Sequence, residues 1–464
     1  GIGDLIYVGG YSVQRNRRLY DFSEYAQYSY YASIIQPNTC VTDPSSGPGD
    51  HGCQAPYMYG DVSGEIKRAS NEVRLQSKAT GPLHWTAGVY WEKTQDPYTG
   101  NEHLPNINFS GQPAQNLIAA YGNMATPVTG QFYSSSATSD YLQTSEFGDL
   151  TVDLGSHWSV EAGVEHFHSS GTDAIDFAGY FFSPRTPRHD SFSSHKTNFK
   201  AGLDFKPNPH ALLYFSFAQG FRDGGINYRP TNSDPITPAT FNPDTLNNFE
   251  LGLKTEGFNG RLVWNSAAYC MLWNSYQVGE SIPDPPFSFQ TNAGDARILG
   301  VESSLEVRPL EGLNFSVNGN YNDARLRRSS FQNPSFFVLP GERLAEAPIF
   351  NFNAVARYER RLTPAALAFA QFDVAHKGSM WNDLRVDVRT LQPAYTLGNV
   401  RFGVSDPAGS WRAEGYITNV ANKGAVIYVD TTGYAYYPGH SNPEIATPPR
   451  TFGLHLSYHW GKST

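Results

Sequence analysis

Apolar and polar residues alternate along many short segments of this chain. Between residues 313 and 321 every odd position is apolar, aromatic or glycine, and every even position is Asn or Ser. Because successive side chains of a β-strand point to opposite faces, this pattern predicts a strand with one apolar and one polar face. The same alternation recurs at residues 84–92, 351–359 and 451–460. The polar face is too hydrophilic for the core of a β-sandwich, so we expect strands that separate an apolar phase from water.

About sixteen strands are predicted in this way, and their connections are of two kinds. The strands begin near residues 3, 66, 84, 137, 157, 191, 210, 245, 260, 291, 311, 349, 366, 393, 411 and 451. Tight turns join pairs of strands at residues 80–82, 155–156, 206–209, 257–260, 308–312, 362–364 and 406–409. Long polar segments alternate with these turns, at residues 13–65, 95–136, 171–190, 222–244, 277–290, 325–347, 378–392 and 421–450. This strict alternation is typical of outer-membrane barrels, which have short periplasmic turns and long external loops.

The composition supports a membrane barrel without a helical span. Of the 464 residues, 39% are hydrophobic and 14% aromatic, and the mean hydropathy is -0.44. Half of each barrel strand faces the lumen and stays polar, so averaged hydropathy conceals the membrane. No run of about 18 apolar residues occurs, which excludes a membrane-spanning helix. We therefore predict an all-β fold, a transmembrane antiparallel β-barrel; a soluble β-sandwich or solenoid is the alternative.

Charge and motif content exclude several classes of function. The net charge of -9 argues against nucleic-acid binding, because phosphate contacts need clustered Lys and Arg. The sequence has no Gly-x-Ser-x-Gly, His-Glu-x-x-His or Walker motif, and no cysteine pair at zinc spacing. His166 and His168 follow Glu165, but strand alternation sends both imidazoles to one face, where a surface pair is the simpler interpretation. We therefore expect no enzyme, no cofactor and no metal site.

Two of the three cysteines bear on the compartment. Cys40 and Cys53 lie in one Gly-, Pro- and Ser-rich segment, where a disulfide in an oxidising compartment is one interpretation and two unpaired thiols the other. Cys270 stands alone in a predicted strand, where we expect a small apolar filler.

Six ordered blocks, spread over more than half of the chain from Leu213 onward, carry a family resemblance. They are Gly220-Phe221-Arg222 with the Gly- and Asn-containing residues 223–227, the segment 243–254 around Pro243-Asp244-Thr245, the Asn-Ala-Gly to Gly-Val-Glu stretch 292–302, and the segments 341–348, 416–423 and 449–453. In this order the blocks resemble the barrel of TonB-dependent receptors, the iron-complex group in particular. Asp244 replaces the Glu that is usual in the second block, and the last strand ends at Trp460 where the family usually has Phe.

The resemblance implies a function and partners. Such receptors take up a bulky, scarce nutrient, such as an iron–siderophore complex, across the outer membrane of a Gram-negative bacterium. It implies contacts with outer-membrane lipid, with a plug domain or upstream segment, and with a TonB-type energising protein in the periplasm. We expect residues 1–464 to be one barrel region, part of a barrel of about 22 strands, without the plug and the first strands. The alternative is a plug-less passive pore, or a structural or partner-binding barrel.

The resemblance also directs the search for ligand-binding residues to the external loops, which close over the substrate in this family. Aromatic area with hydrogen-bonding tips suits a small molecule or chelate and is offered by Tyr434, Tyr436, Tyr437 and His440, with Arg222 and Asp223 at a strand rim. An anionic chelate would suit Arg325, Arg327, Arg328 and Arg343. The alternatives are interface aromatic residues for the first set and solvated loop charges for the second.

Overall fold

The structure, a computed structural model, describes residues 3–21, 58–78, 80–103, 131–179, 188–227, 238–283, 286–330, 338–386, 389–429 and 444–460. Its strands are, in chain order, β1 (Gly3–Asp21), β2 (Tyr59–Ser77), β3 (Leu83–His103), β4 (Gln131–Leu154), β5 (Trp158–Gly179), β6 (Arg188–Asn208), β7 (Ala211–Arg222), β8 (Gly225–Ile226), β9 (Thr240–Phe241), β10 (Asp244–Gly257), β11 (Leu262–Pro283), β12 (Pro286–Leu310), β13 (Leu313–Ser329), β14 (Phe350–Thr363), β15 (Ala366–Lys377), β16 (Met380–Trp381), β17 (Leu391–Gln392), β18 (Tyr395–Ser405), β19 (Trp411–Thr418), β20 (Val426–Val429), β21 (Glu444–Ala446) and β22 (Thr451–Tyr458). Within these residues no helix is long and apolar enough to cross a membrane.

Sixteen of these strands form one sheet in which chain neighbours are spatial neighbours. The order is β1-β2-β3-β4-β5-β6-β7-β10-β11-β12-β13-β14-β15-β18-β19-β22, and the pairs are antiparallel. Three two-stranded ladders, β8 with β9, β16 with β17 and β20 with β21, belong to the connections between wall strands. The predicted all-β, antiparallel wall is confirmed.

The tight turns lie where the sequence pattern predicts them. Between β10 and β11, Phe258 and Asn259 have φ values of 54° and 57°, and Gly260 follows at 79°. Asn259 and Gly260 are the central residues of this turn, and positive φ at both matches the right-handed twist of the paired strands, which is why Asn and Gly are favoured here. The turns at one end of the sheet are therefore only a few residues long, and the longer connections lie at the other end.

Several strands extend further into the long connections than the sequence pattern predicts. β11 ends at Pro283 and β12 begins at Pro286, so the prediction of a long loop at residues 277–290 is wrong. β3 and β4 likewise pair as far as His103 and Gln131. Some of these outer ends show no alternation in the sequence, as at the three serines 134–136 of β4, which pair with β3.

The wall has one apolar and one polar face. On β13, Phe315 and Val317 are 40% and 43% exposed on the face that they share with Val301 of β12. Asn318 and Asn320 occupy the opposite face. Exposed apolar side chains along strand after strand are what a lipid-facing wall requires.

The two edges of the sheet are β1 and β22. In the part of the chain that the structure describes, these strands do not pair with each other. Both carry exposed apolar side chains, such as Leu5 at 74% and Leu454 at 71%. The sixteen strands therefore form an arc of wall with two edges, and not a closed ring.

Candidate functional site

The outer end of β7 leaves the wall and turns onto the polar face. β7 pairs with β6 only up to Ala218, although it continues to pair with β10 up to Arg222. Beyond Ala218, the side chain of Gln219 accepts the Phe199 N–H of β6 at 3.0 Å, where a backbone carbonyl would otherwise be the partner. Residues 221–227, called the strap below, thereby come to lie across β4, β5 and β6.

Asp223 anchors the strap to these three wall strands. Its Oδ2 accepts a hydrogen bond from the Tyr141 hydroxyl of β4 at 2.6 Å. Its Oδ1 accepts hydrogen bonds from Ser169 of β5 and Ser194 of β6, both at 2.7 Å. Both serines are buried. Because a carboxylate removed from water needs donors, the three hydroxyls fix the position of the strap over the polar face.

A buried ion pair holds the start of the strap. Asp244 is 1% exposed and accepts from Nε of Arg222 at 2.9 Å and from the backbone N–H of Gln277 at 3.1 Å. The guanidinium also donates to the Gln277 carbonyl at 3.1 Å and lies 4.9 Å from the ring centroid of Trp273. Arginine suits this place because its planar cation can pair with a carboxylate and stack on an aromatic face at once. Its side chain remains 48% exposed, so part of the cation faces open space.

Two side-chain amides and an aromatic pair also hold the strap. Gln277 donates to the Asp223 carbonyl at 2.8 Å. Asn227 donates to the carbonyl of Gln290 at 2.7 Å and accepts the N–H of the same residue at 2.7 Å. Phe221 stacks on a buried Phe167, with ring centroids 3.4 Å apart. The strap is therefore held from both sides by β5, β11 and β12.

A small apolar cluster covers the polar face beside the strap. Its buried members come from β12, β13 and the connections after them: Ala293, Ala296, Ala324, Leu326, Val338, Leu344 and Leu384. Trp273 and Tyr276 of β11 are partly buried against it. Segments that connect wall strands thus fold inward over the polar face and present an aromatic edge next to Arg222.

Nearer the short turns, the polar face encloses a cavity of about 680 Å³. Amide side chains dominate this part of the face, and the lining includes Asn265, Asn318, Asn320, Asn351 and Asn353. Beside them Tyr214 donates to Glu250 at 2.6 Å and lies 5.4 Å from the ammonium of Lys254. The amide side chains of this surface can both donate and accept hydrogen bonds.

A family model described as TonB dependent receptor-like, beta-barrel, matches residues 4–420. The chain belongs to this family. The resemblance of the six sequence blocks is confirmed, as is the β-barrel fold class. TonB-dependent receptors are transporters and not enzymes, so the expectation that this chain is no enzyme agrees with its family.

Solved structures of TonB-dependent receptors share the fold of this chain. The ferric yersiniabactin uptake receptor FyuA from Yersinia pestis matches 86% of this chain and 55% of its own, at 15% identity and a TM-score of 0.67. The siderophore receptor PiuA from Acinetobacter baumannii matches 98% and 62%, at 13% identity and 0.66. The copper transporter OprC matches 97% and 62%, at 12% identity and 0.64. The chain spans about three fifths of the length of these proteins.

In this TonB-dependent receptor barrel, two of the residues predicted to bind ligand meet at the strap, and four lie elsewhere. Arg222 and Asp223 are engaged by Asp244 and by three hydroxyls, as described above. Four arginines, at the end of β13 and after it, lie on the same side of the wall as its apolar face: Arg325, Arg327, Arg328 and Arg343. The remaining predicted residues lie outside the described residues, namely Tyr434, Tyr436, Tyr437, His440, Cys40 and Cys53. No group of side chains suited to a metal ion occurs in the described ranges.

The sequence reasoning missed most of the partners of the strap. Tyr141, Ser169 and Ser194 are separated from Asp223 by 82, 54 and 29 residues, and each is an ordinary polar residue of its strand. No local pattern marks such contacts. Asp244 did carry a signal, because it stands at the acidic position of the second family block.

Proposed function

We propose that this chain is the wall of an outer-membrane receptor of a Gram-negative bacterium, and that residues 1–464 form one barrel region. The receptor takes up a bulky, scarce nutrient of the Fe(III)–siderophore class. The observation that carries this proposal is the group of Arg222, Trp273 and Tyr276 beside the strap, called the mouth below, on the polar face of a wall whose other face is apolar. An enclosed, water-lined path through an apolar layer is what uptake of a polar cargo requires.

The mouth favours an organic chelate as cargo. Trp273 and Tyr276 supply aromatic area, and the half-exposed side chain of Arg222, which is paired with Asp244, supplies a guanidinium. Aromatic surface with a few placed polar groups suits a planar or anionic ligand. PiuA is a siderophore receptor and FyuA a ferric yersiniabactin uptake receptor, whereas OprC is a copper transporter. We propose that Asp223 shapes the mouth through its anchor, and that Tyr434, Tyr436, Tyr437 and His440 add further ligand contacts.

Energised uptake needs two partners besides outer-membrane lipid. A gate must bind its ligand differently in two states for any coupling to occur. We propose that a plug domain or another segment packs against the polar face and provides this gate. A TonB-type protein in the periplasm would pull on it. The amide-rich cavity of the polar face is suited to such packing, because its Asn side chains can both donate and accept hydrogen bonds.

The passive-pore alternative requires that the two edge strands of the sheet pair with each other. A complete pore of sixteen strands requires direct pairing of β1 with β22, because unpaired backbone groups are costly in lipid. Among the described strands these two are separate edges. This arrangement favours a receptor wall whose edges pair with additional strands, rather than a self-contained pore.

An uptake experiment with the native gene tests the proposal. A Gram-negative host without other iron–chelate receptors expresses the full-length protein, and accumulation of a radiolabelled Fe(III)–siderophore is measured. Copper(II) and a host without the energising periplasmic protein provide the comparison arms. We expect iron accumulation that requires both the receptor and the energising protein. Accumulation of copper alone would contradict the cargo, and energy-independent entry or steady conductance in a planar bilayer would contradict the receptor.

A further inference from the structure

A row of arginines lies on the apolar face of the wall, beyond its apolar band. On β13, Arg325 is an even number of residues from Val317 and Tyr321, so its side chain lies on the same, apolar face of the strand as these two exposed residues. Arg325 pairs across the sheet with Arg297 of β12 on one side and forms an isolated bridge with Arg343 on the other. Residues paired in a ladder point to the same face. The three arginines therefore stand side by side, on backbone segments about 5 Å apart.

A β-bulge adds two more arginines to the row. The register shifts so that Asp295 opposes Arg328 while the neighbouring Ala296 opposes Leu326, which leaves Arg327 as the extra residue. In such a bulge two residues of one strand share the place of one, so both side chains emerge on the side of Asp295. The arginine row thus contains Arg297, Arg325, Arg327, Arg328 and Arg343.

The row lies at the level where lipid headgroups begin. The apolar face of β13 runs from Leu313 to Tyr321, and Tyr321 pairs with an exposed Phe350 of β14. These eight steps span about 27 Å along the strand, or about 20 Å across the membrane at a tilt of about 40°. Arg325 is four residues further on, which places it about 10 Å beyond the aromatic rim. Headgroup layers occupy this depth on either side of the hydrocarbon.

Acidic neighbours neutralise only part of the charge. Arg325 donates to Asp323 at 2.7 Å, and Arg328 is paired with Asp295. Arg297 and Arg327 are exposed and have no ion-pair partner among the described residues. Arg343 donates to a backbone carbonyl at 2.6 Å, and its pKa is lowered by burial and by the nearby Arg325 cation. Five cations thus face two carboxylates, which leaves the row with a net positive charge.

We propose that the arginine row binds the phosphate groups of membrane lipid headgroups in the leaflet on the long-loop side. The guanidinium fork matches phosphate oxygens, and each basic residue at a charged bilayer surface adds attraction. From the sequence we expected four of these arginines to hold an anionic chelate; lipid phosphate instead takes that place in this proposal. A soluble chelate on its way through the barrel would meet the polar face, whereas these side chains stand on the lipid-facing side. The inference does not depend on which nutrient is transported.

A paired substitution with a matched control tests the proposal. Full-length protein is purified as Arg297→Gln/Arg327→Gln and, as a control, as Arg360→Gln/Arg361→Gln. The control residues are also exposed and lack ion-pair partners among the described residues, but they lie on β14 beside the short turn. Binding of bisphosphorylated lipid A, of its dephosphorylated form and of inorganic phosphate is measured by native mass spectrometry. Retained heat-modifiability on gels verifies that each barrel is folded.

We expect the unaltered protein and the control to prefer the phosphorylated lipid. Arg297→Gln/Arg327→Gln should lose roughly tenfold to thirtyfold in affinity for it, and little for the dephosphorylated form. Equal binding of both lipids by the unaltered protein would overturn the proposal, as would unchanged affinity in the double variant. Inorganic phosphate that binds as tightly as the lipid would also overturn it, by showing a site for a free anion.

Discussion

Replacing Asp223 by Ala should release the strap from the wall. The substitution removes the acceptor of three hydroxyl donors at 2.6–2.7 Å, from Tyr141, Ser169 and Ser194. Hydrogen bonds to a charged group contribute about 1.5–3 kcal/mol each when one partner is deleted. The contributions of the three hydrogen bonds are not additive. Removing the carboxylate also removes the cost of its desolvation, which offsets part of the loss. We therefore expect the local opening free energy of the strap to fall by about 2–4 kcal/mol.

Hydrogen–deuterium exchange of the strap measures this change directly. Within it, Asn227 donates its backbone N–H to Ala239 at 2.9 Å, so its exchange reports opening. A loss of about 2–4 kcal/mol predicts roughly thirtyfold to a thousandfold faster exchange in peptides covering residues 221–227. Asp223→Asn should lose much less, because its amide can still accept from one hydroxyl and donate to another.

A neighbouring pair of serines gives the matched control. Ser194→Ala removes one donor to Asp223, whereas the adjacent Ser193 is exposed on the other face of β6. Ser194→Ala should accelerate strap exchange and Ser193→Ala should leave it unchanged. If Asp223→Ala left exchange of residues 221–227 at the level of the unaltered protein, the strap would not depend on this anchor and the reasoning would be refuted.

Three further predictions concern the Arg222–Asp244 ion pair, the turn at Gly312, and the cysteines Cys40 and Cys53. A double-mutant cycle of Arg222→Met and Asp244→Asn should give a coupling free energy of about 1–3 kcal/mol for the local opening of the strap, measured by hydrogen–deuterium exchange. Additive effects of the two substitutions would contradict an ion pair between these residues. Gly312→Val should reduce the folded fraction, measured by heat-modifiability, because φ is +80° there and a Cβ would strike a backbone carbonyl of β14; folding equal to the unaltered protein would contradict this. Cys40 and Cys53 should appear as one disulfide-linked peptide pair in a non-reducing digest of the full-length protein, and two free thiols would remove the cysteine argument for an oxidising compartment.

Turns and strand phase could be predicted from the sequence because their causes are local. The turn at residues 257–260 is marked by Asn259 and Gly260, whose backbones adopt positive φ. The lipid-facing phase of β13 follows from alternation alone, since Phe315 and Val317 must share a face. The solvent-facing strand ends could not be predicted. Residues 134–136 are all serine and show no alternation, although they pair with β3.

The strap could be predicted only in part, because its contacts are not local. The block around Arg222 and Asp223 indicated a functional position, but the same residues proved to be engaged by side chains on four other strands. The placement of Arg297 beside Arg325 depends on cross-strand register, which the hydrophobic pattern does not specify where the alternation ends. Such contacts need the fold before they can be seen.

The most direct test of the account is the environment of successive residues on β13. Spin labels at residues 315, 316, 317 and 318 of the full-length protein in lipid bilayers would report collisions with dissolved oxygen, which concentrates in hydrocarbon, and with a water-soluble nickel complex. The account predicts high oxygen accessibility at Phe315 and Val317 and low oxygen accessibility at Ser316 and Asn318. Uniform accessibility along the four positions, or shielding of Phe315 and Val317 from both reagents, would contradict a lipid-facing wall.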